Sequence, residues 1–229
     1  QHHIAWEEGH HTPERILNAT EVVKSPGIPE TAPMVAKLMA QGTPILSEIE
    51  FAGRYTDARM ICITGSNGKT TTTSLIYHIL KKAGVDVGLA GNIGHSLALQ
   101  VAQAPHSTYV IELSSFQLDN MYKFHANIAV LLNITPDHLD RYGFKMQNYV
   151  DSKMRILQNQ TSADTFVYWK EDEHVPTELP RYNTPSQVCG FTDEEQANSS
   201  GYATADTFVV NSPVHFEMPL SELSLPGRH

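Results

Sequence analysis

The sequence predicts an α/β protein whose main unit is a mostly parallel sheet carrying a phosphate-binding loop. Three observations lead there. From Ala58 onward, short apolar strands alternate with amphipathic helices. The apolar segments Tyr109-Val110-Ile111 and Ile128 to Leu132 lack polar alternation, as strands covered on both faces do. A glycine-bearing segment ending in Gly68-Lys69-Thr70 joins the first of these strands to the first helix. The 229 residues leave room for one large or two modest domains with a sizeable core.

Residues 1–56 read as an incomplete α/β unit. Glu21-Val22-Val23-Lys24 is a short strand, and Ser25-Pro26-Gly27-Ile28-Pro29 is a turn because both prolines resist helix. A helix follows from Pro33, with Met34, Val35, Leu38 and Met39 on one face and Gly42 as its stop. Pro44-Ile45-Leu46 is a second strand. Two strands and one helix do not close a core, so this unit is expected to begin upstream.

Residues 57–229 form the second unit. Met60-Ile61-Cys62-Ile63 is a strand, Thr64 to Gly68 a loop, and Lys69 to Ala83 a helix with Leu75, Ile76, Ile79 and Leu80 at core spacing, ended by Gly84. Val85 to Ala90 is a strand, followed by the Gly91-Asn92-Ile93-Gly94 loop and a helix through Leu97 and Val101. After the two buried strands, a helix over Gln147 to Gln158 turns Tyr149, Val150, Met154 and Leu157 inward. The tail is β-rich: Phe166 to Trp169, Val188 to Phe191, and a hairpin of Thr207 to Val210 with His215 to Met218 around Asn211-Ser212-Pro213.

Composition narrows the function. Acidic residues outnumber Lys plus Arg by 25 to 16, a net charge of −9, which disfavours nucleic acid and anionic membranes as partners. No apolar run approaches about 18 residues, so membrane insertion is not expected. Cys62 and Cys189 are too few for a disulfide framework and read as buried thiols of a cytoplasmic protein. His2/His3 and His10/His11 read as solvated surface residues. The chain is expected to act as a monomer.

The sharpest feature is Thr64-Gly65-Ser66-Asn67-Gly68-Lys69-Thr70-Thr71-Thr72. Glycines let the backbone curl so that several N–H groups face one phosphate. The helix start adds partial positive charge, Lys69 can reach the outer phosphates, and the Thr70 hydroxyl can serve Mg²⁺. Gly65 lies only three residues before Gly68, a shorter loop than standard kinases and GTPases carry.

Phosphoryl chemistry also needs oxygen ligands for cations at strand ends. Glu112, following Tyr109-Val110-Ile111, is so placed. Beyond the next strand, Asn133 to Tyr142 is a polar loop containing His138, which its position beside the phosphate loop marks as functional. Lys153 lies beside the apolar face of its helix. Periodicity alone favours a snorkelling stem for it.

Gly65-Ser66-Asn67-Gly68-Lys69-Thr70-Thr71, Gly91-Asn92-Ile93-Gly94, Glu112-Leu113-Ser114-Ser115-Phe116-Gln117-Leu118, Asn133-Ile134-Thr135-Pro136-Asp137-His138-Leu139-Asp140-Arg141-Tyr142 and Ser152-Lys153 stand in the order and spacing of the Mur ligases. The chain resembles that family from Glu21 to His229. Glu112 to Leu118, together with Val23 to Pro29, which looks like a uridine-nucleotide segment, points to the branch joining D-glutamate to UDP-N-acetylmuramoyl-L-alanine in peptidoglycan synthesis.

The resemblance implies three domains: a Rossmann-like N-terminal domain for the UDP-sugar, a central P-loop ATPase domain and a C-terminal domain. The chain is expected to hold part of the first over 1–56 and the second over 57–229, stopping at Pro226-Gly227-Arg228-His229, and to lack the third. It is therefore expected to be inactive alone. ATP and Mg²⁺ are the implied cofactors, with a CO₂-derived carbamate on Lys153. Gly65, Ser66, Asn67, Gly68, Lys69, Thr70 and Thr71 would bind ATP, and Thr70, Glu112, His138 and carbamylated Lys153 would support metal. Lys69, His138 and Lys153 would carry catalysis. Asn92 and Ser114 would face the muramoyl-alanine end, and Ser25 and Gly27 the uridine diphosphate. Two rivals are a folylpolyglutamate synthase-like ligase and a nucleotide-binding interaction module without chemistry. The Ser-Ser-Phe-Gln run disfavours the former, and Glu112, His138 and Lys153 together disfavour the latter.

Overall fold

A computed structural model describes residues 4–223; His2, His3 and Pro226 to His229 fall outside them. The chain opens with α1 (Pro13–Ile16), β1 (Val22–Val23), α2 (Pro33–Ala40), β2 (Ile45–Leu46) and α3 (Glu48–Gly53). Strands β1 and β2 are parallel, with Val22 opposite Ile45. Pro33 starts α2, where its missing N–H costs nothing. Val35, Leu38 and Ile45 make a small core, backed by Ile16, Leu17 and Val22. Met39, expected on the same face, is 49% exposed, because two strands cover only a narrow stripe of the helix. Helix α3 was not expected; its start is capped by Ser47, whose Oγ accepts from the amide of Glu50.

The second unit runs β3 (Arg59–Thr64), α4 (Lys69–Lys82), β4 (Val87–Gly91), α5 (Leu97–Gln103), β5 (Thr108–Glu112), α6 (Ser115–Leu118), β6 (Ile128–Leu131), a 3-10 turn (Leu139–Tyr142), α7 (Met146–Met154), β7 (Thr165–Trp169), α8 (Val175–Tyr182), β8 (Gln187–Thr192), β9 (Gly201–Ala203), β10 (Thr207–Val210) and β11 (Phe216–Pro219). Among the described residues these strands make one sheet in the order β11-β10-β9-β8-β7-β6-β3-β5-β4. It is parallel from β4 to β9 and antiparallel across β9, β10 and β11. The expected hairpin is present, with Val210 opposite Phe216.

The chain leaves β3 toward β4 and β5 on one side, then crosses to β6 on the other. Strand β3 therefore ends at a topological switch point, where a crevice opens beyond the strand ends. Its side chains serve both faces. Met60 and Cys62 join Tyr109, Ile111, Leu131, Tyr149 and Met154 in the main core. Ile61 and Ile63 join Val87, Val110 and Val130 beneath α4.

Two expectations are corrected. On α4 only Ile76 and Leu80, with Tyr77, pack on the sheet, while Leu75 and Ile79 are 41% and 56% exposed. Residues at i, i+1, i+4 and i+5 span a wider arc than one sheet face covers. Glu112 does not follow β5 but is its last residue, paired in register beside Ile63 and Gly91. Strand β9 and helix α8 were also missed. Helix α8 holds Pro176 in its opening turn, where proline is tolerated, and Pro180 in its interior, where it is not favoured. Cys62 and Cys189 are buried free thiols. No helix among the described residues is long and apolar enough to cross a membrane.

A candidate phosphate and cation site at the switch point

The loop between β3 and α4 turns on two glycines. Gly65 has φ +152° and lies against the next loop: an added Cβ would sit 3.0 Å from Leu132 Cβ and 3.3 Å from the Asn133 nitrogen. Gly68 has φ +81° and immediately precedes α4. The loop is braced from the β6 side. Ser66 donates its amide to Asn133 O at 2.9 Å, and Asn67 donates its amide to Asn133 Oδ1 at 2.9 Å. Ser66 Oγ donates to Thr135 O at 2.8 Å, accepts from the Thr135 amide at 2.9 Å and lies 3.0 Å from Tyr149 OH. The loop is thus braced by Asn133, Thr135 and Tyr149 from outside it.

Glu112 is 1% exposed, and each of its oxygens has one partner. Thr70 Oγ1 donates to Oε2 and Asn92 Nδ2 donates to Oε1, both at 2.8 Å. The neighbouring strands come close enough here that a Cβ on Gly91 would lie 2.1 Å from Glu112 O. The carboxylate therefore joins the phosphate loop to the Gly91–Gly94 loop. Hard cations favour such oxygen-rich strand ends.

Lys69 folds back on its own loop, donating to Gly65 O and Ser66 O, each at 2.9 Å. Lys153 does not snorkel. It is 2% exposed, donates to Gly65 O at 2.8 Å, and its Nζ stands 4.8 Å from the centre of the Tyr149 ring. Burial first, and the nearby Lys69 second, lower its pKa to about 7, against a weaker pull from Asp137 and Asp119. A neutral amine is therefore available near neutral pH.

The remaining predicted residues are spread from the turn after β1 to the loop after β6. His138 has a left-handed backbone (φ 49°) and a side chain 59% exposed, its Nε2 3.6 Å from Asp137 Oδ2. Its ring packs near Phe116, over which the Arg141 guanidinium stacks at 4.3 Å. Ser114 caps α6 in a reciprocal box with Gln117. Thr71 is exposed beside Thr70 on the first turn of α4. Ser25 and Gly27 are exposed on the turn after β1, closed by Ile28 N to Ser25 O at 3.1 Å and Lys24 Nζ to Ile28 O at 2.7 Å. A cavity of about 610 Å³, lined by Lys24, Glu30, Arg54 and Tyr122 among others, opens beside that unit and includes no phosphate-loop residue.

Among the described residues, no three His, Cys, Asp or Glu side chains gather as a metal cluster. A cation here would be served by Glu112 and hydroxyl or phosphate oxygens, which is compatible with Mg²⁺ and its retained waters. Sequence reasoning missed Asn133 and Tyr149 as struts of the loop. Asn133 stands in a recognised motif and Tyr149 on an inward helix face, but neither pattern says that the partner is the phosphate loop.

Residues 63–229 match a family model described as the Mur ligase middle domain. The chain is 62% identical over 228 residues to UDP-N-acetylmuramoylalanine--D-glutamate ligase of Bacteroides thetaiotaomicron, an alignment covering 100% of this chain and 51% of that protein. To the enzyme of the same name from Porphyromonas gingivalis it is 53% identical over 231 residues, covering 99% and 51%. A solved UDP-N-acetylmuramoyl-L-alanyl-D-glutamate--2,6-diaminopimelate ligase superposes with a TM-score of 0.58 at 20% identity, over 80% of this chain and 49% of that one, a likeness of fold alone. The chain spans about half the length of the curated relatives it matches.

Proposed function

The chain belongs to the Mur ligase family, with that family's α/β fold and mostly parallel sheet, and from that premise we propose that it carries the ATP-activating part of a cytoplasmic ligase joining D-glutamate to UDP-N-acetylmuramoyl-L-alanine. The observation that carries this is Glu112 linking Thr70 to Asn92. One carboxylate there stands between a phosphate loop and a second loop able to receive the acceptor substrate.

The proposed reaction has two steps. An oxygen of the alanyl carboxylate attacks the γ-phosphorus of ATP, the β–γ bridging bond breaks, and ADP leaves. The amine of D-glutamate then attacks the acyl carbon, inorganic phosphate departs, and the amine loses a proton as the amide forms. Gly65 to Thr71 hold the phosphates, with Lys69 as their main side-chain charge. Thr70 and Glu112 are the residues to hold Mg²⁺, which supplies charge neutralisation of the triphosphate. His138 and carbamylated Lys153 would support a second cation. The neutral amine that burial favours is the form that would add CO₂, forming an N–C bond and losing one proton to solvent, and the product would be a carboxylate-like group. Asn92 and Ser114 would meet the muramoyl-alanine end, and Ser25 and Gly27 the uridine diphosphate.

In this assignment residues 1–56 belong to a Rossmann-like UDP-sugar unit and 57–229 to the ATPase unit. The test is substrate choice by the complete protein: ADP release with UDP-N-acetylmuramoyl-L-alanine plus D-glutamate, and none with a folate plus L-glutamate. Preference for the folate would overturn the assignment.

A further inference from the structure

Helix α3 carries two carboxylates that leave their own unit. Glu48 Oε1 accepts from Ser96 Oγ at 2.8 Å and from the amide of Ala98. These donors open α5, directly after the Gly91–Gly94 loop that holds Asn92. Glu50 is 1% exposed and accepts the amides of Tyr122 at 3.0 Å, Lys123 at 3.1 Å and Phe124 at 2.9 Å, in the loop before β6. Three successive backbone N–H groups around one carboxylate form an anion nest filled by the protein itself. The helix is also seated by shape: a Cβ on Gly53 would lie 2.6 Å from the Phe124 ring.

These anchors join a path of hydrogen bonds to the other side. Lys24, just before Ser25, donates its amide to Leu46 O at 2.9 Å, and Ser47, just after Leu46, donates its amide to Asn120 O at 2.8 Å. The Ser25 turn is therefore tied through β2 to α3, and α3 through Glu48 to the far end of the Asn92 loop. His95 N to Leu89 O at 3.3 Å and Gln100 Nε2 to Leu89 O at 2.9 Å lock that end to β4.

We propose that Glu48 and Glu50 are positioning residues that fix the Ser25–Gly27 turn relative to the Asn92 loop, so that a nucleotide-sugar gripped at one presents its carboxylate end at the other. This rests on the substrate assignment above. A linear ligand held at two loops gains near-attack geometry only if the loops keep their separation. Charge-assisted bonds from a carboxylate to backbone amides suit that task, because they are short and directional. The arrangement leaves ATP binding to the phosphate loop, which α3 does not touch through either carboxylate.

The test uses Glu50→Ala, Glu48→Ala and Glu48→Gln in the complete protein. Glu50→Ala deletes Oε2, the oxygen that accepts all three amides. Glu48→Gln keeps Oε1 as an acceptor and is the conservative control. Expected for Glu50→Ala and Glu48→Ala is a rise of about tenfold in KM for UDP-N-acetylmuramoyl-L-alanine, with affinity for a non-hydrolysable ATP analogue within about twofold. Amide hydrogen exchange should quicken at residues 24–28 and 91–94, and Glu48→Gln should restore both readouts. Faster exchange confined to the contacted amides at 98 and 122–124, or ATP affinity falling in step with KM, would overturn the proposal. Wild-type protein that ignores the UDP substrate would sink the substrate assignment alone, since the exchange pattern still decides the coupling.

Discussion

Lys69 and Lys153 share one acceptor: both Nζ atoms reach the carbonyl oxygen of Gly65, at 2.9 and 2.8 Å. One carbonyl does not compensate two cations, and Lys153 is the one whose charge burial and Lys69 disfavour. Lys69 opens α4 at the end of the loop, and Lys153 comes from α7, 84 residues further along the chain. A phosphate would draw Lys69 outward from Gly65 and Ser66, and a carbamate would reverse the sign of the charge at Lys153.

Lys69→Ala should remove the loop's main phosphate charge. Loss of one preorganised donor at developing charge costs roughly 10²–10³-fold in kcat, so ATP-dependent turnover by the complete protein should fall at least that far. Near-normal turnover would place the phosphate site elsewhere.

Lys153 gives a stability prediction with a definite sign. Its folded pKa is lowered to about 7, against about 10.4 for a free lysine. Between these values the unfolded chain binds the extra proton, so rising pH stabilises the fold across that window and not below it. In CO₂-depleted buffer, Lys153→Met should therefore raise Tm relative to wild type most below pH 7, with the advantage shrinking toward pH 10. A pH-independent difference would mean that the amine is not held neutral.

Activity gives the companion test. Lys153→Ala should be nearly inactive and partly rescued by formate or acetate, whose carboxylate can take the carbamate's place. Full activity without added carboxylate would leave Lys153 a purely structural residue.

Glu112→Gln should raise the Mg²⁺ concentration needed for half-maximal turnover by roughly 10–100-fold, the range seen when groups supporting a metal are lost. An unchanged Mg²⁺ requirement would contradict the role of the Thr70–Glu112 pair.

Tyr149→Phe keeps the ring beneath Lys153 and deletes only the hydroxyl beside Ser66. Losing one such hydrogen bond costs about 1 kcal/mol, so ATP-analogue affinity should weaken about fivefold while the Lys153 stability profile with pH stays in place. Equal ATP affinity in the two proteins would remove Tyr149 from the support of the loop.

Much of this was legible in sequence because the signals are local. Gly65 to Thr71 combine a strand end, two glycines and a helix start within a few residues, and the parallel strands announce themselves by their apolar runs. Helix α3 was not legible: six residues give no period, and nothing local in the sequence pairs Glu48 and Glu50 with the distant amides of residues 98 and 122–124. The snorkelling preference at Lys153 failed for a related reason. Periodicity places a side chain on a helix face, but the Gly65 carbonyl that receives its ammonium is supplied by β3's loop. On α4, hydrophobic spacing overstated the buried arc, and the single sheet face beneath it chose Ile76 and Leu80 over Leu75 and Ile79.

The most direct test of the account follows oxygen. UDP-N-acetylmuramoyl-L-alanine labelled with ¹⁸O in both oxygens of the alanyl carboxylate would be turned over by the complete protein with ATP, Mg²⁺ and D-glutamate, and the inorganic phosphate analysed by mass spectrometry. Transfer of the γ-phosphoryl group to that carboxylate predicts one ¹⁸O atom in each phosphate released. Phosphate without ¹⁸O, formed together with the amide product, would contradict it.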